Sequence, residues 1–182
     1  MSKLFFTSDT HFFHKNILKF CPTTRRGESV EEMTELMVQA WNAKVKPDDV
    51  VYHLGDVSFG LAEKTVEVLN RLNGTLHLIE GNHDKGVTQG AAAKRWASIN
   101  KYKSIRIDGV EVVMFHYPII EWDKMHYGSY HLFGHVHGKD MGLSDRRAMD
   151  VGVDSRPGAD MAPWSWDEVH TMLKERKIFS HH

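Results

Sequence analysis

The sequence predicts a layered α/β fold with mixed β-sheets flanked by helices. Three observations predict it. The first half alternates short apolar, β-prone runs with stretches at helical spacing. The second half is richer in strand-like runs and contains a hairpin signal. Polar clusters of Asp, Asn, His and Gly follow the apolar runs, at the strand ends where open α/β sheets place their ligands. At 182 residues the chain fits one domain, 1–182, long enough to bury a core.

Leu4–Thr7 is an apolar run that stops at Ser8 and Asp9, as a buried strand does. After a loop through Arg25, Arg26 and Gly27, Ser29 and Glu32 have the spacing of a capping box. Met33, Leu36, Met37, Ala40, Trp41 and Val45 then recur at helical spacing, so a helix runs to about Lys44 and breaks at Pro47. Residues 50–54 form a strand ending at Gly55-Asp56. Leu61, Thr65, Val68, Leu69 and Leu72 mark a second helix, with Gly74 as its stop signal. Thr75–Ile79 is the next strand and ends at Gly81-Asn82-His83-Asp84. The stretch from 85 to 101 is less defined, with 91–99 read as helical. Asp108-Gly109 joins residues 105–107 to 110–115 as a hairpin whose second strand ends at His116. Residues 130–133 form a strand before Gly134-His135-Val136-His137, and 148–153 form the last. Ser165 and Glu168 open a final helix, running to about Lys177. There is no internal repeat, low-complexity tract or linker.

The composition, 41% hydrophobic and 26% charged, is that of an ordinary globular protein. A net charge of -1 does not advertise a nucleic-acid binder, although bound dications would make one site locally positive. Cys21 stands alone, so no internal disulfide forms, in keeping with a reducing compartment. No apolar stretch approaches the roughly 18 residues that span a bilayer. Asp9 and His11 interrupt the first apolar run too early for a signal peptide. The expected location is cytoplasmic. Thirteen histidines are many; His181 and His182, native or a tag remnant, are set aside.

Asp, Asn and His supply the oxygen and imidazole donors that suit divalent first-row metals. The two-residue spacing of Asp9/His11, and of His135/His137, would put each pair on one face of an extended segment. Gly55 and Gly81 let the backbone turn sharply beside an ion. Asp56 has two oxygens with which to bridge a metal pair, and Asn82 offers a neutral carbonyl. His83 can exchange a proton near physiological pH.

In this order and at these strand ends, Asp9/His11, Gly55-Asp56, Gly81-Asn82-His83-Asp84, His116 and Gly134-His135-Val136-His137 resemble the signature of the calcineurin-like metallophosphoesterases. The resemblance spans residues 4 to about 153. Residues 7–12, 52–56 and 116–119 look like a small prokaryotic and phage branch of predicted phosphoesterases. By this resemblance Asp9, His11, Asp56 and His137 hold one metal. Asp56, Asn82, His116 and His135 hold the second, with Asp56 shared. It implies two divalent ions, Mn²⁺ as a common activator, with Fe, Zn²⁺ or Ni²⁺ also suited to the donors. Such a pair, roughly 3.5–4 Å apart, makes hydroxide available for in-line attack on a phosphoester. His83 would face the substrate, stabilising the transition state or protonating the leaving alkoxide. Asp84 would hold the His83 ring.

The expected substrate is a small phosphomonoester or phosphodiester, nucleotide-like, because no insertion caps the motifs and no basic stripe tracks a long backbone. Nucleic-acid ends are the alternative substrate class. A catalytically inactive interaction scaffold is the alternative function, and no membrane partner is expected. Oligomeric state is open. Arg25 and Arg26 are solvated charges by default, though their place permits a phosphate clamp. His14 and His126 are within possible reach of the site, and His53 is a core or sheet-face residue. Tyr117, Trp122 and Tyr127 either pack or stack a base.

Overall fold

Two sheets stack face to face in the computed structural model, which describes residues 2–179; His181 and His182 lie outside the described residues. The first sheet holds β1 (Leu4–Thr7), β2 (Val50–His53), β3 (Thr75–Ile79), β4 (Trp96–Asn100) and β9 (Trp164–Ser165) in the order β4-β3-β2-β1-β9. All its pairs are parallel except β1 with β9. The second sheet runs β5 (Tyr102–Ile107), β6 (Val110–Phe115), β7 (Tyr130–Phe133), β8 (Ala148–Asp150). Its β5–β6 pair is antiparallel and the other two are parallel. The helices are α1 (Ile17–Phe20), α2 (Val30–Lys44), α3 (Ala62–Arg71), α4 (Gly90–Ala93) and α5 (Trp166–Leu173). Among the described residues no helix is long and apolar enough to cross a membrane.

Strand alternation builds the layers. Phe5, Val51, Leu76 and Leu78 point outward from the first sheet into a core shared with Met33, Met37 and Trp41 of α2 and Val68 and Leu69 of α3. Phe6, Tyr52 and Ile79 point the other way. They meet Val112, Met114, Leu132 and Met149 of the second sheet, with Val169 and Leu173 of α5. Val113, Phe133 and Ala148 face a third cluster that includes Trp122, which makes Trp122 a core residue rather than a ring awaiting a base.

Local signals account for most boundaries. The Ser29 hydroxyl accepts from Glu32 N–H, but the Glu32 carboxylate accepts from Glu28 N–H instead of closing the box. At Ser165 both halves of the box are present. Asp108 and Gly109 both have positive φ, 48° and 85°, the type I′ pattern that matches strand twist.

Residues 91–99 depart from the helical expectation. One turn, α4, is followed by β4 laid along the open edge of β3. Trp96 fills a buried slot there and donates from Nε1 to Val87 O at 3.2 Å, so the unpaired edge outweighs the helix propensity of the alanines. The strand read over 148–153 ends at Asp150, where the chain turns into a 3-10 segment, Val153–Ser155. α5 stops at Leu173 rather than near Lys177. The short α1 and β9 carry too little pattern to be seen in the sequence.

His131 is fully buried in β7. Its Nδ1–H donates to Val113 O, and its Nε2 accepts from Ile119 N–H, both at 3.3 Å, which requires the neutral ring. Burial pulls the ring down to about 4, although contacts with the Val113 and Tyr117 backbone work the other way. Above about pH 6.5 the ring is neutral folded or unfolded. As pH falls from there to about 4, the unfolded chain takes up a proton that the folded chain refuses, and this group costs about 1 kcal/mol per pH unit. Melts of metal-free protein between pH 7 and 4 should show a fall in stability that is shallower in His131→Gln. An identical slope in the variant would remove His131 from the account.

Candidate metal centre

The parallel ladders continue past the strand ends and carry the polar clusters into one place. Asp9 N–H donates to Gly55 O at 2.9 Å and His11 N–H to Asp56 O at 3.1 Å, so the segments after β1 and β2 remain in register. Gly134 N–H donates to His116 O, and Val151 N–H to Phe133 O, doing the same for the second sheet. Ser8 bridges to Gly152, and its hydroxyl donates to Leu54 O at 3.0 Å. The two sheets are thereby stitched together at their carboxyl edge, and all seven expected ligands arrive there.

The pairs do not converge in the way the two-residue spacing suggests. Asp9, His11, Asp56, His135 and His137 all have left-handed backbone, with φ of 55°, 47°, 57°, 70° and 51°. No extended segment carries them. The chain coils at each ligand, a conformation that costs non-glycine residues about 1–2 kcal/mol apiece and persists only where the surroundings fix it. Gly55 and Gly81 let the backbone come close to the neighbouring ligand loops. A Cβ on Gly55 would lie 2.5 Å from Gly81 N and 2.7 Å from His116 Nδ1; one on Gly81 would lie 2.5 Å from Asp56 Oδ1.

Two groups of ligand atoms result. Asp9, His11 and His137 each bring one donor within 4.8 Å of the others, and so do Asp56, His116 and His135. Asp56 joins the groups: its Oδ2 lies 3.8 Å from His11 Nε2 and 3.7 Å from His116 Nε2. With metal–ligand bonds of about 2.1 Å, two ligand atoms of one ion stand roughly 3–4 Å apart.

The polar accounting fits a cation in each group. Asp9 Oδ2 accepts from His135 N–H at 2.8 Å. Among the described residues Asp9 Oδ1 and both His11 nitrogens are buried with no hydrogen-bond partner, and Asp9 Oδ1 faces His11 Nε2 at 3.6 Å. Orphaned polar atoms of this kind cost free energy unless something positive lies between them. In the second group His116 Nδ1–H donates to Leu54 O at 2.6 Å, which leaves Nε2 as an acceptor. That nitrogen faces another acceptor, Asn82 Oδ1, at 3.1 Å. A shared cation removes the conflict.

Charges around the first group are strongly displaced. Burial alone would raise the Asp9 carboxyl, but His11, His116 and His137 outweigh it and hold it down at about 2. Burial works against a charged His137 ring, yet Asp154, Cys21 and Asp9 lift it to about 10. A metal ion at His137 would have to displace that proton, so metal binding to this group should release a proton. Asp150, buried and repelled by Asp9, is pushed up to about 6, while N–H donors from Gly152 and Gly138 pull it back.

The supporting shell contains residues that the sequence reading missed. Asp154 Oδ2 accepts from His137 Nδ1–H at 2.7 Å, turning the other ring nitrogen toward the ligand group. Arg25 grips the same carboxylate from Nε at 2.8 Å and Nη2 at 2.6 Å, and donates to the Thr10 and Asp9 carbonyls. Arg25 is therefore a buried brace with its donors committed, not a phosphate clamp; Arg26 is exposed on the same loop. Burial would raise Asp154, but His137, Arg25 and Thr24 hold it well below the usual carboxylate range. Cys21, His137 and Asp154 also come together, with Asp154 already spent on these partners. Asp150 accepts from Gly138 and Gly152 N–H and so holds the loop after His137. Asp154 follows the apolar run 148–153, as the other clusters follow theirs, and that was its one visible signal; Asp150 lies inside that run.

Arg25→Leu should strip the Asp154 carboxylate of one of its two cationic partners, leaving His137 as the other. A buried ion left wholly unpaired costs about 3–5 kcal/mol, and His137 keeps the expected loss below that range. Urea unfolding of chelated protein checks this, and wild-type stability in the variant would show the pair to be dispensable.

Two expected roles change. The Asp84 carboxylate accepts from the backbone N–H groups of Asp56 and Val57 at 2.9 Å and of Gly81 at 2.7 Å. Its work is to tie two ligand loops together, and it does not orient the His83 ring. Burial raises Asp84, against the pull of these three donors. His53 is a core residue with a second task. Its Nδ1 accepts from Gly55 N–H, so Nε2–H donates to Thr10 Oγ1, which donates to Val57 O. Burial, followed by His116 and His11, brings it down to about 3 against the opposing effect of Asp9, consistent with that neutral ring.

His83 stands exposed at the mouth. Its backbone N–H donates to Asp56 Oδ1 at 2.9 Å, and its ring lies 6.4 Å from His11. His14 reaches the rim, 5.5 Å from the His11 ring. His126 is exposed beside Tyr127 on the turn before β7, with Tyr127 as its ring contact.

Residues 3–152 match the family model described as the calcineurin-like phosphoesterase superfamily domain. An uncharacterised protein of Methanocaldococcus jannaschii is 34% identical over 185 residues, spanning 98% of this chain and 95% of its own. The Gene 66 protein of Mycobacterium phage L5 is 27% identical over 186 residues, spanning 85% of this chain and 88% of its own. A crystal structure of a protein of unknown function from Aquifex aeolicus is similar in fold, with a TM-score of 0.74 at 24% identity, covering 95% of this chain and 100% of that one.

Proposed function

The chain belongs to the calcineurin-like phosphoesterase superfamily, and from that premise we propose that it is a dinuclear metal-dependent phosphoesterase acting on a small, nucleotide-like phosphoester. The observation that carries this reading is the pair of ligand groups joined at Asp56, with buried Asp9 Oδ1 and His11 Nε2 unpartnered and face to face. Asp9, His11, Asp56 and His137 would hold one ion; Asp56, Asn82, His116 and His135 would hold the other. When bound, such ions supply Lewis-acid polarisation of the phosphoryl oxygens and a water-derived nucleophile at neutral pH. Mn²⁺ is the species proposed for both positions, the donor set being oxygen and imidazole without thiolate.

The chain's own groups do the rest. His116 and His137 are held in one tautomer by Leu54 O and Asp154, so their free nitrogens point inward. Asp84 and Arg25 fix the loops that carry the ligands. His83, exposed at the mouth and tied by its backbone N–H to Asp56, would give a proton to the departing oxygen. No Ser or Cys is needed as a covalent nucleophile.

Hydrolysis of bis(4-nitrophenyl) phosphate, 4-nitrophenyl phosphate and a nucleotide panel, with Mn²⁺ and then with chelator, tests the proposal. Turnover that requires metal is expected. Metal-loaded protein that cleaves none of these would leave the inactive scaffold as the better reading.

A further inference from the structure

Two aromatic walls stand at the mouth of the metal centre, one against each ligand group. Phe59, 41% exposed, lies on the segment that follows Asp56. Its ring is 5.2 Å from His11, 4.4 Å from His14 and 4.9 Å from His83. Phe20, more exposed still, extends this wall at 6.0 Å from His14. Tyr117, 36% exposed, flanks the other group. Its ring is 4.9 Å from His116 and 4.7 Å from His135, and its hydroxyl donates to Asn82 Oδ1 at 3.3 Å. Neither Phe59 nor Tyr117 belongs to a buried core cluster. Large rings left in water beside a charged pocket are a binding surface waiting for its ligand.

We propose that Phe59 and Tyr117 are specificity residues and that the substrate is a phosphodiester with a planar, nucleoside-like ring on each ester arm. The inference rests on the phosphoesterase reading above and on His83 as the proton donor. Phe59 touches His83, so the ring on the leaving arm stacks on Phe59, and the ring on the retained arm stacks on Tyr117. A monoester has one arm and would leave one wall unused. Ring stacking tolerates any base, because every base has a π-face. In the reaction, water adds to phosphorus and the P–O bond to the Phe59-side arm breaks. That oxygen takes a proton from His83 and leaves as an alcohol, the proton lost by the attacking water passes to solvent, and solvent reprotonates His83; the product is the phosphomonoester stacked on Tyr117.

Two diesters that share a leaving group separate the walls: thymidine 5′-(4-nitrophenyl phosphate) and methyl 4-nitrophenyl phosphate. With Mn²⁺-loaded wild-type protein, kcat/KM should favour the thymidyl ester about tenfold, within the range of one stacked base. Tyr117→Leu should bring that ratio close to one. Phe59→Leu should keep the ratio and raise KM for both esters about tenfold, with metal content at the wild-type level. An unmoved ratio in Tyr117→Leu, or an unmoved KM in Phe59→Leu, would overturn the assignment. So would loss of metal in Phe59→Leu, which would make Phe59 a shield for His11. Metal-loaded wild-type protein that cleaves neither ester contradicts the phosphoesterase reading instead. The walls are then judged by affinity for thymidine 5′-phosphate over methyl phosphate, which would be equal if Tyr117 binds no ring.

Discussion

Asp56→Asn should lower turnover by about three to four orders of magnitude, several kcal/mol of transition-state stabilisation. The substitution keeps the shape of the side chain. Its Oδ1 can still accept from His83 N–H, which fixes the amide's orientation. The NH₂ group then replaces Oδ2 and points at His11 and His116, a donor where both ligand groups require an acceptor. Because Asp56 serves both groups, metal content should fall in both at once, whereas loss of His135 or Asp9 should affect mainly one. Elemental analysis alongside kcat checks this. A variant that keeps two ions and near-normal turnover would remove Asp56 from its bridging place.

His83→Ala should have the next largest effect, with a signature of its own. General acid catalysis contributes about 10²–10⁴-fold when the leaving group needs a proton. A nucleoside alkoxide needs one; 4-nitrophenolate, a far weaker base, does not. The loss should therefore be large on dinucleotide-type diesters and much smaller on 4-nitrophenyl esters. Metal should remain bound, because the bond from residue 83 to Asp56 Oδ1 comes from the backbone N–H and survives truncation. Equal losses on both substrate types would mean that His83 acts on the phosphoryl group and not on the leaving oxygen.

The sheet strands and the candidate donors gathered at their ends were legible because both are local patterns. Apolar runs such as Leu4–Thr7 and Thr75–Ile79 ended in polar clusters, and each cluster sits in the structure at the carboxyl edge of its strand. The route by which the ligands converge was not legible. Spacing suggested extended pairs, but left-handed φ at Asp9, His11, His135 and His137 is fixed by tertiary bonds such as His135 N–H to Asp9 Oδ2, across 126 residues. The supporting residues were hidden for the same reason. Asp154 meets Arg25 across 129 residues, and nothing local to either distinguishes a buried brace from a surface charge. At 91–99 local propensity pointed to helix, and the open edge of β3 decided otherwise. The resemblance implies that Asp84 holds the His83 ring, whereas its carboxylate serves the backbone of three other residues.

These corrections leave the candidate ligands gathered at one sheet edge and change what holds them. His116 is oriented by a carbonyl, His137 by a carboxylate that is itself held by Arg25, and the Asp56 loop by Asp84. Each brace is buried, so the centre is preformed by the fold, and its mouth is lined by rings and His83.

The central claim is that two ions share Asp56. Electron paramagnetic resonance during titration of the chelated protein with Mn²⁺ tests it most directly. Two ions joined by one carboxylate are magnetically coupled, so the account predicts that, as loading reaches two ions per chain, the six-line signal of isolated Mn²⁺ gives way to a coupled spectrum. Asp56→Asn should lose that coupled spectrum. An uncoupled six-line signal that saturates at one ion per chain would contradict the account.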